Sequence, residues 1–190
     1  MKKTLGSLLV FLLILSLVTI TLSATIQEIH DVSVHGIELQ KSIVCQGETV
    51  AIQIGVSNLG DFSETFDLLV YAESYHVGEQ EVTLDVGEET SIDFLWNTTA
   101  VPRGNYSISA QANPVPNESN FTNNYLVGGQ VQLTILGDVN GDSEVDIFDA
   151  VTVSIAFDSN PEDPEWNPVA DMNSDQVIDI YDIVTIAIHF

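Results

Sequence analysis

The sequence predicts a mainly β chain in two parts: a seven-stranded β-sandwich over residues 30–136, then a small all-α pair of loop–helix repeats over residues 137–190. Three observations predict it. From His30 to Ile135 apolar and polar residues alternate in short runs bounded by turn residues, the period of half-buried strands. Beyond Gly137 the apolar period lengthens to that of a helix, after each of two acidic stretches. Those stretches repeat one another 33 residues apart.

The chain opens on Lys2 and Lys3, followed by an apolar run from Leu5 to Leu22. A charged start and an apolar stretch are the plan of an export signal. Residues 1–23 therefore predict a signal peptide, with a mature start at Ala24, or an uncleaved N-terminal membrane anchor through residues 5–22. Both place the rest of the chain outside the membrane, secreted or at the cell surface. After this segment Lys41 and Arg103 are the only basic side chains, against 28 acidic residues. Such a chain repels nucleic acid and attracts cations. Cys45 is the single cysteine, so no internal disulfide forms; the thiol is expected to be buried or paired with another chain.

The strands read in order as VSVHGI, TVAIQIGVSN, FDLLVYAES, EQEVTLDV, ETSIDFLWN, GNYSISAQA and GGQVQLTIL. Val50, Ile52, Ile54 and Val56 share one face, as do Phe66, Leu68 and Val70. Trp96 stands in an alternating strand and is expected in the core. Asn58–Asp61 and Val86–Glu89 read as hairpin turns, and Pro114 and Pro116 break the chain before a polar loop. Asn97, Asn105, Asn117 and Asn120 each open an N-x-[ST] sequon, the acceptor pattern for N-glycosylation in an exported chain and also ordinary turn composition. His30, His35, His76 and His189 are scattered, and no nucleophile motif occurs, so no enzyme is predicted. The stretches HDVSVHGIEL, VSNLGDFSETFDLLVYA and FLWNTTAVPRGNYSISAQANPVPNESNFTNN resemble the CARDB family. The resemblance implies an immunoglobulin-like sandwich acting as a spacer or adhesion module of exported microbial proteins.

The acidic repeats carry the chemistry. With Asp138 as position 1, Asn140, Asp142, Asp146 and Asp149 fall at positions 3, 5, 9 and 12, and Glu144 supplies a backbone carbonyl at position 7. This is the oxygen spacing of an EF-hand calcium loop, in which alternate residues wrap one hard cation. The second copy places Asp171, Asn173, Asp175, the Val177 carbonyl, Asp179 and Asp182 in the same positions. The two 21-residue segments beginning at Gly137 and Ala170 are identical at 10 of 21 positions. Two Ca2+ sites follow. Position 12 is Asp in both copies rather than the general Glu. Position 6 is Ser143 or Gln176 where Gly makes the sharp turn, and a left-handed non-glycine costs about 1–2 kcal/mol.

After each loop, Val145, Phe148, Val151, Thr152 and Ile155, and likewise Ile178, Tyr181, Val184, Thr185 and Ile188, space as one side of a helix. These sides are expected to face one another over a small core, with Trp166 against the pair. Pro161, Pro164 and Pro168 exclude a long helix between them. Residues 137–190 resemble a dockerin, which implies folding with two calcium ions and docking to a cohesin-like module. The resemblance assigns partner contacts to loop positions 10 and 11, here Ile147, Phe148, Ile180 and Tyr181. Helix periodicity leaves Ile147 and Ile180 more exposed and turns Phe148 and Tyr181 toward the core. The expected function is a non-catalytic exported adaptor that docks to a cohesin-like or other surface or scaffold protein. The alternative is a structural or adhesion protein whose doublet only stabilises its C-terminal end.

Overall fold

The computed structural model describes residues 28–190; the signal or anchor expected over residues 1–23 lies outside them. Eight strands build two sheets. One has the order β1 (Val32–Leu39), β3 (Thr49–Asn58), β6 (Glu89–Asn97). The other runs β2 (Ile43–Cys45), β8 (Tyr125–Thr134), β7 (Gly104–Ala112), β4 (Glu64–Ala72), β5 (Tyr75–Leu84). All seven expected strands form, and the eighth, β2, is a three-residue strand running parallel to β8. All other ladders are antiparallel.

Alternation does what it predicts where one face is wet. In β4, Glu64, Phe66, Leu68, Val70 and Ala72 are buried while the residues between them reach the surface or half-bury. Inner faces of the two sheets meet over Ile52, Ile54, Val56, Leu68, Val70, Ile108 and Val131. Trp96 is buried among them, edge-on to Tyr106 at 5.4 Å. The Tyr106 hydroxyl donates to the Pro102 carbonyl at 2.7 Å, the corner bond that immunoglobulin-like sandwiches use where a strand enters. Burial raises the pKa of this phenol. Cys45 is buried as expected; burial first, and then the Glu48 carboxylate, push its thiol up to about 11.

The two turns read as hairpins are corrected. Asn58–Asp61 joins β3 to β4, and Val86–Glu89 joins β5 to β6, so each carries the chain from one sheet to the other. Buried Asn58 explains the geometry. Its Nδ2 donates to the Phe62 and Leu84 carbonyls, its Oδ1 accepts from the Gly60 amide, and its own amide donates to Glu88. One side chain thus fastens both crossings together. The chain's two-residue hairpin is instead at Glu73–Ser74, between β4 and β5, with Glu73 at φ 52°.

Beyond β8 lie two short helices, α1 (Ile147–Ile155) and α2 (Ile180–Ala187), each following one acidic loop. Val139, Val153, Ala156, Ala170, Ile178 and Ile186 form a separate small core, with Trp166 packed against it. Among the described residues no helix is long and apolar enough to cross a membrane.

Candidate metal centre

Each acidic loop is a set of carboxylates holding backbone N–H groups. Asp138 Oδ1 accepts from Gly141 at 2.7 Å and Asp142 at 3.1 Å, and its Oδ2 accepts from Ser143 at 2.8 Å. Asn140 accepts from the Asp142 amide, and Asp142 from the Glu144 amide, both at 2.9 Å. Asp149 reaches back across the loop to Val139 at 2.9 Å, Asn140 at 3.1 Å and Asp146 at 2.9 Å. Asp146 caps α1 through the Phe148 amide at 2.8 Å. Two reciprocal carboxylate–amide bonds at a helix start make a capping box, satisfying donors that the helix itself leaves open.

The second loop repeats this nearly bond for bond. Asp171 accepts from Asp175 at 3.2 Å and Gln176 at 3.0 Å. Asp182 accepts from Met172 at 2.8 Å, Asn173 at 3.3 Å and Asp179 at 2.8 Å. Asp179 caps α2 through Tyr181 at 2.7 Å. Asn173 and Asp175 hold the Asp175 and Val177 amides at 3.0 Å each. Position 6 is left-handed in both copies, Ser143 at φ 75° and Gln176 at φ 68°, the conformation for which the sequence lacks glycine. Position 4 is left-handed too, Gly141 at φ 76° and Ser174 at φ 59°. That second strained position had no signal in the spacing alone.

The aspartates at position 12 set the phase of the helices. Asp149 and Asp182 are fully buried, because their carboxylates must turn inward to reach the loop. Residues one helical turn on therefore turn inward as well, namely Val153 and Ile186. This corrects the expected core face. Phe148, Val151 and Ile155 lie outward, as do Tyr181, Val184 and Ile188; with Ile147 and Ile180 they are 47–75 % exposed. Of the residues expected on the inner side, Val145 half-buries and Ile178 is fully buried. Ile178 joins the repeats through its carbonyl to the Asp158 amide at 2.8 Å and its amide to the Ser159 carbonyl at 3.0 Å.

The loops rest on the sandwich. Thr134, the last residue of β8, donates its hydroxyl to Asp138 Oδ2, and Gln132 donates to the Gly141 carbonyl at 2.6 Å. A Cβ on Gly141 would stand 2.7 Å from Gln132 Oε1 and 3.1 Å from Ile43 Cδ1, so the ends of both side chains would have to shift to admit one. Lys41 Nζ donates to the Asp171 carbonyl at 3.3 Å. An open cleft of about 800 Å³ runs between the two parts, lined by Lys41, Glu48, Trp166 and Gln176 among others.

The donor set suits a hard divalent cation. Asp138, Asp149, Asp171 and Asp182 are all at most 5 % exposed, yet the one ion pair among the described residues is His30–Glu64. Buried carboxylates without a counter-charge are costly, and hard oxygens at these spacings are calcium's preferred ligands. As the side chains stand, they turn to amides rather than to one centre. No group of three or more acidic, histidine or cysteine side chains converges on a common point among the described residues. The histidines take structural places. His30 stacks on Phe62 and meets Glu64 at 2.5 Å, His35 and His76 are exposed, and His189 meets the Thr185 carbonyl at 2.6 Å.

Two family models match different stretches of the chain. The CARDB model matches residues 30–128, more than half of the chain. The chain belongs to the CARDB family. Residues 136–189 of this CARDB protein match the model of the dockerin type I domain. Dockerin type I domains bind calcium and dockerins bind cohesin modules; both families are non-catalytic modules typical of extracellular or cell-surface proteins. Among solved structures, the chain is similar to the CARDB domain of the PF1109 protein from Pyrococcus furiosus in complex with di-metal ions. Identity there is 25 %, over 57 % of this chain and 96 % of that one, with TM-score 0.49. It is similar to a domain of a putative cell surface protein from Methanosarcina acetivorans at 23 % identity, over 55 % of this chain and 92 % of that one, with TM-score 0.43. A β-glucosidase from Erythrobacter marinus is similar at 16 % identity, over 55 % of this chain and 15 % of that one, with TM-score 0.44. No curated protein matches the chain.

Proposed function

We propose that this CARDB protein is an exported, non-catalytic adaptor whose C-terminal doublet binds two calcium ions and docks to a cohesin-like or other surface or scaffold protein. Asp138, Asn140, Asp142, Asp146 and Asp149, with the Glu144 carbonyl, would hold the first ion. Asp171, Asn173, Asp175, Asp179 and Asp182, with the Val177 carbonyl, would hold the second. Calcium supplies positive charge to carboxylates that are otherwise buried without it. The observation that carries the docking reading is the pair of matched outward stripes, Ile147–Phe148–Val151–Ile155 and Ile180–Tyr181–Val184–Ile188, exposed on both helices. Contiguous exposed apolar side chains of this kind mark protein-binding surfaces.

Pull-down from the exported proteins of the source organism, with and without chelator, tests it. A cohesin-like partner is expected only with calcium. Replacing Phe148 and Tyr181 by Ser is expected to abolish capture while changing stability by no more than about 0.5 kcal/mol, as for exposed sites. Recovery of no partner under any condition would favour the second reading, a structural or adhesion protein whose doublet seals the end of its sandwich. The Thr134–Asp138 and Gln132–Gly141 contacts support that reading. In either role the chain is suited to carry glycans. Asn97, Asn105, Asn117 and Asn120 are all exposed, and the Thr122 hydroxyl meets the Asn120 side chain at 2.7 Å.

A further inference from the structure

The two loops repeat in sequence, but the sandwich treats them differently. The first receives a neutral hydroxyl on its position-1 carboxylate, from Thr134. Thirty-three residues after Thr134 the chain has Asn167, whose side chain instead accepts from the Val169 amide at 3.1 Å. Asp171 thus takes only two amides of its own loop on its carboxylate, where Asp138 takes three amides and a hydroxyl. What the second loop receives is a charge. Lys41, from the connection between β1 and β2, donates its ammonium to the Asp171 carbonyl at 3.3 Å.

That ammonium is scarce. Beyond residue 3 the chain has one lysine and one arginine. Lys41 lines a gap of about 10 Å³ together with Asp138 and Asp171, scarcely one water's worth of room. It also lines the open cleft of about 800 Å³, as Asp171 does. The long lysine stem can therefore leave the gap for water without disturbing the sheet. Asp171 would hold the second ion, so a divalent cation entering that loop meets a positive charge already in contact with its position-1 residue. The first loop has no such neighbour bonded to it.

We propose that Lys41 is a positioning residue that makes the two calcium sites unequal. Held at the Asp171 backbone carbonyl rather than on a carboxylate, its charge stands beside the second loop and opposes a divalent cation entering it. The first loop, held by Thr134, fills at lower calcium. The inference rests on the calcium reading above and deepens it: occupancy of the second site is coupled to the contact between doublet and sandwich. One unit charge close to a divalent ion in partly exposed surroundings corresponds to about a three- to tenfold change in affinity.

Calcium titration calorimetry on the full exported chain, with melting curves in chelator, tests this. Asp149→Asn and Asp182→Asn assign the two sites. The wild type should show two unequal sites, the second weaker. Lys41→Met should tighten the second site about three- to tenfold, leave the first unchanged, and lower the melting temperature in chelator. Lys41→Arg, which keeps the charge, should leave the wild-type inequality in place. If Lys41 only braced the interface, Lys41→Met would weaken the second site, so the sign of the change separates the two roles. Equal sites in the wild type, no change or weakening in Lys41→Met, or equal tightening of both sites would overturn the proposal and leave the calcium reading standing. Absence of calcium binding at both sites would overturn both. Should Lys41→Met fail to fold, Lys41→Gln gives the same readouts.

Discussion

The sandwich and the doublet solve the problem of a stable interior in opposite ways. The sandwich buries 23 apolar residues in one cluster between two sheets. The doublet buries six, and sets four carboxylates among them. Burial of apolar area is indifferent to solutes at low concentration, whereas buried charge needs a partner. The difference leads us to expect that the sandwich holds its fold by apolar burial while the doublet depends on a counter-charge.

The sharpest way to break the comparison is to take calcium away. Chelation is expected to melt the doublet and leave the sandwich folded, giving two separate calorimetric transitions. Saturating calcium should stabilise only the doublet, by about 3–4 kcal/mol for each site filled at several hundred times that site's dissociation constant. A single transition insensitive to chelator would show that the contacts at Thr134 and Gln132 merge the two parts. Next in size is a cavity in the sandwich. Ile54 is fully buried, so Ile54→Ala should cost about 2–5 kcal/mol, read as a shift of the upper transition alone, equal with and without calcium. The smallest effect is at the left-handed loop positions. Ser143→Gly and Gln176→Gly should each stabilise the doublet by about 1 kcal/mol, visible as tighter calcium binding by calorimetry. No gain would mean that the loop relaxes its φ in solution.

How much could be read from the sequence differs between the two parts as well. The strands were legible because one wet face forces alternation, as in β4 and around Trp96. The paths between sheets were not. Asn58 looks the same in a hairpin and in a crossing, and only its bonds to Phe62, Leu84 and Glu88 distinguish them. That the two acidic stretches form matching loops was legible because the spacing is local and because the chain states it twice. The helix face was misread because α1 is apolar almost all round, IFDAVTVSI, so periodicity alone fits more than one side. The deciding residue is polar: Asp149 must face its loop, and the apolar positions take what remains. Contacts such as Lys41 with Asp171, 130 residues apart, leave no local trace at all.

One small strand has a mechanical consequence. β2 runs parallel to β8, and β8 leads directly into the doublet. When the N-terminal side of the chain and a partner on the doublet are drawn apart, these neighbours are pulled lengthwise in opposite senses. Their hydrogen bonds then share the tension in shear instead of opening one after another like a zip. The three residues Ile43–Cys45 place a brace against tearing where a tethered adaptor would carry its load.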